Sequence, residues 1–354
     1  MRSVFDVSRV GYCLTAVFSC LALLLVSCQS HQDEVVLSGE TMGTSFVVKF
    51  IPPADAPEAL RESVSREIVN VLEEIDTLMS TYNPDSELSR FNAFFSDAPF
   101  EISHKTLEVV EMAMEVSRLS DGAFDVTVGP IVNAYGFGVD DRPPAPPTDD
   151  QLDVLFNRVG FEMLAIDAAQ RTISKNQPEI YCDLSGIAKG YGVDRIAVVL
   201  DSLDIVNYMV EIGGETRARG KNSRDQVWRI AIEKPDERGR AIQRVVELKD
   251  ISIATSGDYR NFYIQNGVRI SHTIDARSGR PIRHNLASVS VFHAECAMAD
   301  ALATAIMVLG PEEGMKLAGE HRLAVLMIVR TDAGGSAEKV SPEFERIFVK
   351  GESK

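Results

Sequence analysis

The segment that most constrains this chain is DLSGIAKGYGVDR, Asp183–Arg195, which follows the apolar run Ile180–Cys182. Small and hydrogen-bonding residues replace apolar ones abruptly, which predicts a strand, a tight turn and a helix start. Glycines at such a junction let a ligand approach the backbone, and the helix N-terminus favours an anion such as a nucleotide phosphate. The alternative is a plain helix N-terminus, which the segment taken alone slightly favours, with Ser185 as cap and Lys189 solvated. Its glycines match neither GxxxxGKS/T nor GxGxxG, so support must come from the rest of the chain.

Composition limits the classes of protein this chain can form. Its 354 residues, 45% of them hydrophobic, can bury one large core or two ordinary ones. A net charge of -16 and a pI of about 4.9 argue against non-specific binding to nucleic acid, because a polyanion is repelled. Any phosphate must therefore be bound locally, by backbone amides, a metal or a few placed cations.

The N-terminus has the pattern of a secretory signal. Two early arginines precede the apolar stretch 10–26, and the stretch ends in Leu-Val-Ser-Cys, which resembles the lipobox of bacterial lipoproteins. We expect cleavage after residue 27, lipid on Cys28, a tether over 28–34 and a mature domain over 35–350. An uncleaved anchor is the alternative. Either way the domain is expected in the cell envelope, bound to a membrane and facing the periplasm or extracytoplasmic side.

The cysteines argue against a disulfide framework. Of five, two leave with the signal and Cys28 would carry lipid, so Cys182 and Cys296 remain in the domain. An oxidising compartment permits a bridge between them, but buried free thiols are favoured. No CxxC or zinc-type spacing is present, so a thiolate metal site is not expected.

Hydrophobic periodicity predicts an α+β fold, in which packed helices interleave with mostly antiparallel strands without a βαβ repeat. The Pro-rich stretch 140–150 is interpreted as an insertion in one domain. Helices are predicted over 58–79, 103–120, 150–159, 190–203 and 295–308. Strand-like segments include 35–51, 123–130, 208–212, 228–233, 245–248, 252–256, 261–263 and 286–292, with a hairpin made of 163–174 and 177–182.

Two residues on the predicted helix 295–308 indicate a metal site. Asp300 and Thr304 are four apart and so share one helix face. With a backbone carbonyl from a Gly-rich turn they form a partial oxygen shell suited to Mg²⁺. The alternative, Asp300 on a solvated face, is less favoured because its neighbours are almost all apolar or small.

Three further residues are candidates for ligand binding or catalysis. Met42 lies between small residues, so its flexible side chain can contact a planar ring of a ligand. A methionine that packs only in the protein core is the commoner case. Tyr82, at a helix exit, can stack on a ligand. His272 lies in a strand-to-turn segment, SHTIDARSGRP, that also carries an aspartate and two arginines.

Seven segments follow one another along the chain: GETMGT (39–44), STYNPDSELSRFN (80–92), DGAFDVTVGP (121–130), DLSGIAKGYGVD (183–194), EIGGE (211–215), SHTIDARSGRP (271–281) and MADALAT (298–304). In this order they resemble the FAD:protein FMN transferase (ApbE) family. They extend over nearly all of the mature chain, and the lipoprotein leader agrees with the family.

The resemblance implies transfer of the FMN half of FAD onto a threonine or serine of a partner protein, through a phosphoester bond, with Mg²⁺ and release of AMP. It implies a partner of the type found as a subunit of membrane redox complexes, and no nucleic acid. The positions that resemble FAD contacts are Met42, Tyr82, Ala123, Phe124, Asp125, Asp183, Lys189 and Ile274. The carbonyl of Gly186 with Asp300 and Thr304 resembles the metal site, and His272 resembles the base.

One position departs from the family pattern. Ala303 stands where some members carry a second acidic residue, which puts a second carboxylate ligand or a second metal in doubt. Two other functions remain open. The first is an FAD pyrophosphatase with water as acceptor, and the second is a flavin-binding lipoprotein without catalysis. The presence of His272, Asp300 and Thr304 argues against the second.

Overall fold

The computed structural model describes residues 33–138, 143, 145–235, 241–259 and 261–349. The chain divides into two units, Met1–Asp33 and Glu34–Lys354. The predicted signal segment and Cys28 lie outside the described residues and stay predictions. Within the described ranges, every helix is too short or too polar to cross a bilayer.

The described strands are β1 (Val35–Thr41), β2 (Thr44–Phe50), β3 (Phe100–Glu101), β4 (Leu164–Asp167), β5 (Thr172–Lys175), β6 (Tyr208–Ile212), β7 (Glu215–Arg219), β8 (Trp228–Glu233), β9 (Ile242–Leu248), β10 (Ile251–Gly257), β11 (Phe262–Gln265), β12 (Val268–Ser271), β13 (Ile274–Asp275), β14 (Arg280–Pro281), β15 (Leu286–His293), β16 (Ala324–Arg330) and β17 (Ser336–Val340). The described helices are α1 (Leu60–Met79), α2 (Glu87–Ala93), α3 (His104–Leu119), α4 (Gly129–Ala134), α5 (Asp149–Phe156), α6 (Ala188–Ser202), α7 (Cys296–Glu320) and α8 (Pro342–Phe348).

An eight-stranded sheet forms the centre of the domain. Its strand order is β1-β2-β6-β7-β10-β15-β16-β17, and every neighbouring pair is antiparallel. Smaller sheets pair β8 with β9, β11 with β12, β13 with β14, and β3 and β4 with β5. The predicted α+β fold with mostly antiparallel strands is confirmed.

The central sheet is covered on both faces. Apolar residues of β2 and β6 pack with α1 and α6, and those of β15 and β16 pack with α3 and α7. On the other face, Trp228 and Ile232 of β8 join Phe344 of α8 against the sheet. Because both faces are covered there, β16 is an apolar run up to Arg330, and in β15 even Ser288 and Ser290 are buried.

Helices α6 and α7 cap each other at their N-termini. Neither has a local side-chain cap. Asp300 of α7 accepts a hydrogen bond from the backbone N–H of Gly190 at 3.1 Å, and Asp194 of α6 accepts one from the N–H of Ala297 at 2.9 Å. Each carboxylate thus satisfies an amide that the partner helix leaves unpaired and also faces that helix's positive end. These two bonds fix the register between α7, which carries Asp300 and Thr304, and α6, which follows Gly186.

This contact between the helices requires a glycine. A Cβ on Gly190 would lie 2.3 Å from the carbonyl oxygen of Cys296 and 2.8 Å from the Cα of Ala297. Both are backbone atoms, which cannot move aside as a flexible side chain can. Gly190 therefore allows the close approach of α6 to the start of α7.

Two predicted strands are wrong. Residues 177–182 follow the β4–β5 hairpin as a turn and a short segment without strand pairing. The Asn92 side chain takes the place of a neighbouring strand there, because it accepts from the N–H of Cys182 at 2.7 Å and donates to its carbonyl at 2.8 Å. Residues 123–128 form turns and 129–130 begin α4, although the composition of 123–130 alternates as in a strand.

Both cysteines of the domain are free and buried, as favoured from the sequence.

Replacing Gly190 with alanine should destabilise the fold. The added methyl group forces α6 away from α7, so we expect the free energy of unfolding in urea to fall by roughly 1–3 kcal/mol. Gly319→Ala is the matched control, because Gly319 also lies in a helix, α7, and its added Cβ meets nothing within 4 Å. That substitution should stabilise by up to about 1 kcal/mol. Equal effects of the two substitutions would contradict the close contact at Gly190.

Candidate active site

A cleft of about 840 Å³ brings most of the predicted site residues together. Those that line it are Tyr82, Ala123, Phe124, Asp125, Asp183, Gly186, Lys189, His272, Ile274, Asp300 and Thr304. Met42 does not belong to the described lining. It packs against the core, with its methyl group beside Gly192, so its contact with FAD stays a prediction.

The turn before α6 is organised by Asp183. Its Oδ1 accepts from the N–H of Ser185 at 2.8 Å and from the Ser185 hydroxyl at 2.5 Å. The Asp183 N–H in turn donates to the carbonyl of Val126 at 2.7 Å. The expectation that Ser185 caps the helix is therefore wrong, because its hydroxyl is bonded to Asp183 and the helix N-terminus is capped from α7. The turn is instead held against the segment that contains Phe124 and Asp125.

Lys189 points into a cluster of buried carboxylates. Its Nζ lies 3.5 Å from Asp300 Oδ2 and 3.6 Å from Glu215 Oε1, and both acids are almost fully buried. The alternative of a solvated lysine is wrong. Glu215 was missed as a site residue, although it stands in the EIGGE segment. It follows the Gly213-Gly214 turn between β6 and β7, where both glycines have positive φ, and this tight turn brings the acid to the cleft.

The cluster carries two carboxylates for one lysine. Burial raises the pKa of Asp300 and that of Glu215, and Lys189 only partly offsets this. Burial acts to lower the pKa of Lys189, but the two carboxylates outweigh it and hold that pKa above its usual value, so the lysine stays charged. Among the described residues, Glu215 Oε2 is buried without a hydrogen-bond partner. The cluster is therefore suited to a further positive charge.

Gly186, Asp300 and Thr304 meet at one place in the cleft. A Cβ on Gly186 would lie 3.7 Å from Thr304 Oγ1, and Asp300 is one helical turn before Thr304. The Thr304 hydroxyl also lies 3.3 Å from the Ser256 hydroxyl of β10. Carbonyl, carboxylate and hydroxyl oxygens suit Mg²⁺ with water and ligand oxygens completing the shell. Over the described ranges, no group of three or more His, Cys, Asp and Glu side chains forms an alternative metal site.

Asp125 shapes the loop on the other side of the turn. Its Oδ1 accepts from the N–H and the hydroxyl of Thr127 at 2.7 and 2.6 Å, and its Oδ2 accepts from the N–H of Phe161 at 2.9 Å. The side chain is 8% exposed, and burial raises its pKa. This network holds Phe124, whose ring edge lies 3.0 Å from the position of a Cβ on Gly186. Both oxygens are used within the protein.

His272 enters the cleft just after β12. Its Nδ1 lies 2.9 Å from the carbonyl oxygen of Asn261. A carbonyl only accepts, so Nδ1 carries the proton and a neutral ring keeps Nε2 as an acceptor. Burial lowers the pKa of His272 below its usual 6.5, which favours the neutral ring at pH 7. The ring also meets Phe137 edge to face, with centroids 6.2 Å apart.

Two predicted ligand contacts differ strongly in exposure. Tyr82 is 71% exposed at the rim of the cleft, where a ring face is available for stacking. Ile274 is buried and lines the same cleft as His272.

These features define a class of protein: an α+β fold whose cleft combines a buried acidic cluster, one lysine and a neutral histidine, as expected for binding an anion together with a cation. The ApbE family model matches residues 42–327. The chain belongs to the ApbE family.

This chain is similar in sequence and structure to known proteins over most of their length. An FAD:protein FMN transferase of Vibrio cholerae is 49% identical over 312 residues, covering 88% of this chain and 92% of the relative. One of Haemophilus influenzae is 43% identical over 331 residues, covering 92% and 95%. The solved flavin transferase ApbE from Vibrio cholerae has a TM-score of 0.83 at 48% identity and covers 90% of this chain and 99% of its own. The apo Pseudomonas stutzeri flavinyl transferase ApbE has a TM-score of 0.82 at 35% identity, with coverages of 89% and 97%.

Removing the lysine should make stability depend more steeply on pH. Lys189→Met leaves Asp300 and Glu215 without their cation, so their folded-state pKa values rise further above the unfolded values near ~4. Groups raised in this way lose stability as pH rises from the unfolded pKa through the folded one. We expect the free energy of unfolding to fall by about 3 kcal/mol at pH 8 and by less at pH 5. Urea unfolding at both pH values measures this fall in the free energy of unfolding.

The control for that experiment is Lys339→Met, on the exposed edge strand β17. It should change stability little at either pH. A Lys189→Met loss that is equal at pH 5 and pH 8 would show that the lysine does not neutralise the two acids.

Proposed function

We propose that this chain transfers FMN from FAD to a threonine or serine of a partner protein, forms a phosphoester bond and releases AMP in an Mg²⁺-dependent reaction. The observation that carries the proposal is that His272 and the Lys189–Asp300–Glu215 cluster line one cleft. Membership of the ApbE family and the names of the relatives support the choice of substrate.

The cleft has the features that FAD binding requires. Its volume of about 840 Å³ falls within the usual range of cofactor pockets, roughly 300–1,000 Å³. Tyr82 at the rim offers a ring face to a planar ring of FAD, and Ala123 and Phe124 offer an apolar wall. Lys189 is the cation that would face the pyrophosphate.

Magnesium would be held by the Asp300 carboxylate, the Thr304 hydroxyl and the Gly186 carbonyl. When bound there, it would neutralise charge on the pyrophosphate oxygens. Asp300 uses Oδ2 for the Gly190 N–H, which leaves Oδ1 for a cation. Lys189 shares this task because its ammonium stays protonated.

The residues also suit proton transfer. His272 Nε2 would accept the proton of the acceptor hydroxyl as its oxygen forms a bond to the FMN phosphorus. The bond from that phosphorus to the bridging oxygen breaks, and AMP leaves with the oxygen. The bond from Nδ1 to the Asn261 carbonyl fixes the ring and its tautomer for this task.

The cellular setting is part of the same proposal. Cys28 would carry lipid and hold the enzyme at a membrane of the cell envelope, on the periplasmic or extracytoplasmic side. An acceptor belonging to a membrane redox complex would meet it there.

The test uses the purified full-length chain in detergent with FAD, Mg²⁺ and a membrane extract of the source bacterium from which this gene has been deleted. A fluorescent flavin band that survives a denaturing gel, together with AMP, indicates the transferase. AMP without a label indicates a pyrophosphatase, and neither product indicates a flavin binder. Both products should vanish in EDTA, and full activity there would contradict the metal requirement.

Loss of the histidine should separate binding from transfer. His272→Ala should retain FAD binding, measured by flavin fluorescence quenching, but lower the transfer rate by roughly 10²–10⁴-fold. Since the neutral ring is the base, the wild-type rate should fall as pH drops below the histidine pKa, which lies under 6.5. His104→Ala, an exposed histidine at the start of α3, is the control. Unchanged turnover in His272→Ala would exclude this histidine from the reaction.

A further inference from the structure

Strand β8 borders the cleft along its edge. Four successive residues, 230–233, line the cavity. Side chains of a strand point alternately to opposite faces, so four neighbours border one cavity together only where the strand's backbone edge faces it. The cleft therefore meets the main chain of β8 as well as its side chains.

This edge pairs with no other described strand. β8 pairs with β9 alone, with Ile230 opposite Val246 and Ala231 opposite Val245. The isolated bridge from Lys221 to Val227 ends before β8 begins. In an antiparallel pair, alternate residues direct their N–H and C=O groups away from the partner strand. Such groups on β8 point towards the cleft, and an edge of this kind is a template for a further strand.

The two-stranded ribbon of β8 and β9 also exposes apolar side chains. Ala231 is exposed, and on β9 Val245 and Ile242 are 42% and 66% exposed. Ala231 and Val245 are direct neighbours and so share one face. A strand added beside β8 would place every second side chain near this face, while its backbone would bond to β8.

The position fits the substrate that the reaction requires. His272 and β8 line the same cleft, so a polypeptide lying on β8 enters the cavity that contains the base. Recognition through backbone bonds needs an extended segment, and the side chains at alternate positions of that segment can add specificity. A loop or terminus that carries a threonine or serine meets this condition, whereas a hydroxyl inside a helix has no free backbone groups to offer.

We propose that the outer backbone edge of β8, at Ile230 and Ala231, binds an extended segment of the acceptor protein as an added strand and so delivers its hydroxyl to His272. This rests on the proposed transferase function. It adds the docking surface and the conformation of the protein substrate.

Amide hydrogen exchange tests the proposal on the intact chain. The probe is the acceptor protein identified by its flavin label in the membrane extract, with the labelled residue changed to alanine so that the complex does not react. With FAD and Mg²⁺ present, adding this probe should slow exchange at least about tenfold at alternate amides of residues 228–233, and leave the β9 residues 242–248 unchanged. Binding of the probe without protection of β8 would overturn the proposal.

A pair of proline substitutions with matched controls gives a second measurement. Ile230 and Ala231 are adjacent, so one of the two N–H groups points away from β9, and replacing that residue with proline removes the docking donor. The directly opposite Val246→Pro and Val245→Pro are the controls, because two opposite residues of an antiparallel pair direct their N–H groups either both to the partner strand or both away from it. Each control therefore changes the ribbon as its β8 counterpart does, but leaves the outer edge of β8 intact. We expect one of Ile230→Pro and Ala231→Pro to raise the KM for the acceptor about tenfold more than its control does.

The outcomes separate the two proposals. If wild-type protein labels no acceptor, the transferase function itself fails. If it labels the acceptor, but β8 is unprotected or each β8 proline behaves like its β9 control, the transferase function stands and docking on β8 is wrong.

Discussion

The reciprocal capping of α6 and α7 is the interaction on which the site depends. Each helix begins without a side-chain cap of its own, and each receives a carboxylate from the other. Because a capping bond requires a defined distance to particular amides, the two helices cannot slide past one another without losing both bonds. The glycine at position 190 lets the backbones approach closely enough for this. As a result Gly186, before α6, and Thr304, within α7, face each other across a short gap.

The same arrangement explains why the cluster is buried at an energetic cost. A carboxylate that caps a helix at the base of a cleft loses its hydration, and burial raises its pKa accordingly. Lys189 stabilises Asp300 and Glu215 together, yet it is one cation beside two acids. If stability were the only requirement, apolar side chains at these positions would serve as well or better. Its presence in a cleft is understandable if the negative charge is used to bind a cation next to an anionic ligand.

Much of this could be predicted from the sequence. The spacing of Asp300 and Thr304 on an otherwise apolar helix already indicated one face, and the α+β class followed from the interleaved periodicities. The strand expected over 177–182 was wrong because its backbone partner is the side chain of Asn92, ninety positions away, which leaves no local signal. Glu215 was missed for a related reason. A single acid after two glycines is typical of any hairpin, and only the pairing of β6 with β7 places it beside Lys189.

Docking of the acceptor at β8 would also explain how one site can select a protein and exclude water. Water needs no docking surface, whereas a strand bound along the cleft edge would fill the opening next to His272 at the moment its hydroxyl arrives. The β11–β12 hairpin, which precedes His272, is fixed to the central sheet. Arg269 of this hairpin donates to the Asp258 carbonyl at 2.7 Å, and the Asp258 side chain is paired with Arg330 of the central sheet. The histidine thus follows a hairpin fixed to the rigid sheet, while β8 belongs to a separate ribbon. Transfer and hydrolysis would then differ by whether the space between these two elements is occupied by polypeptide or by water.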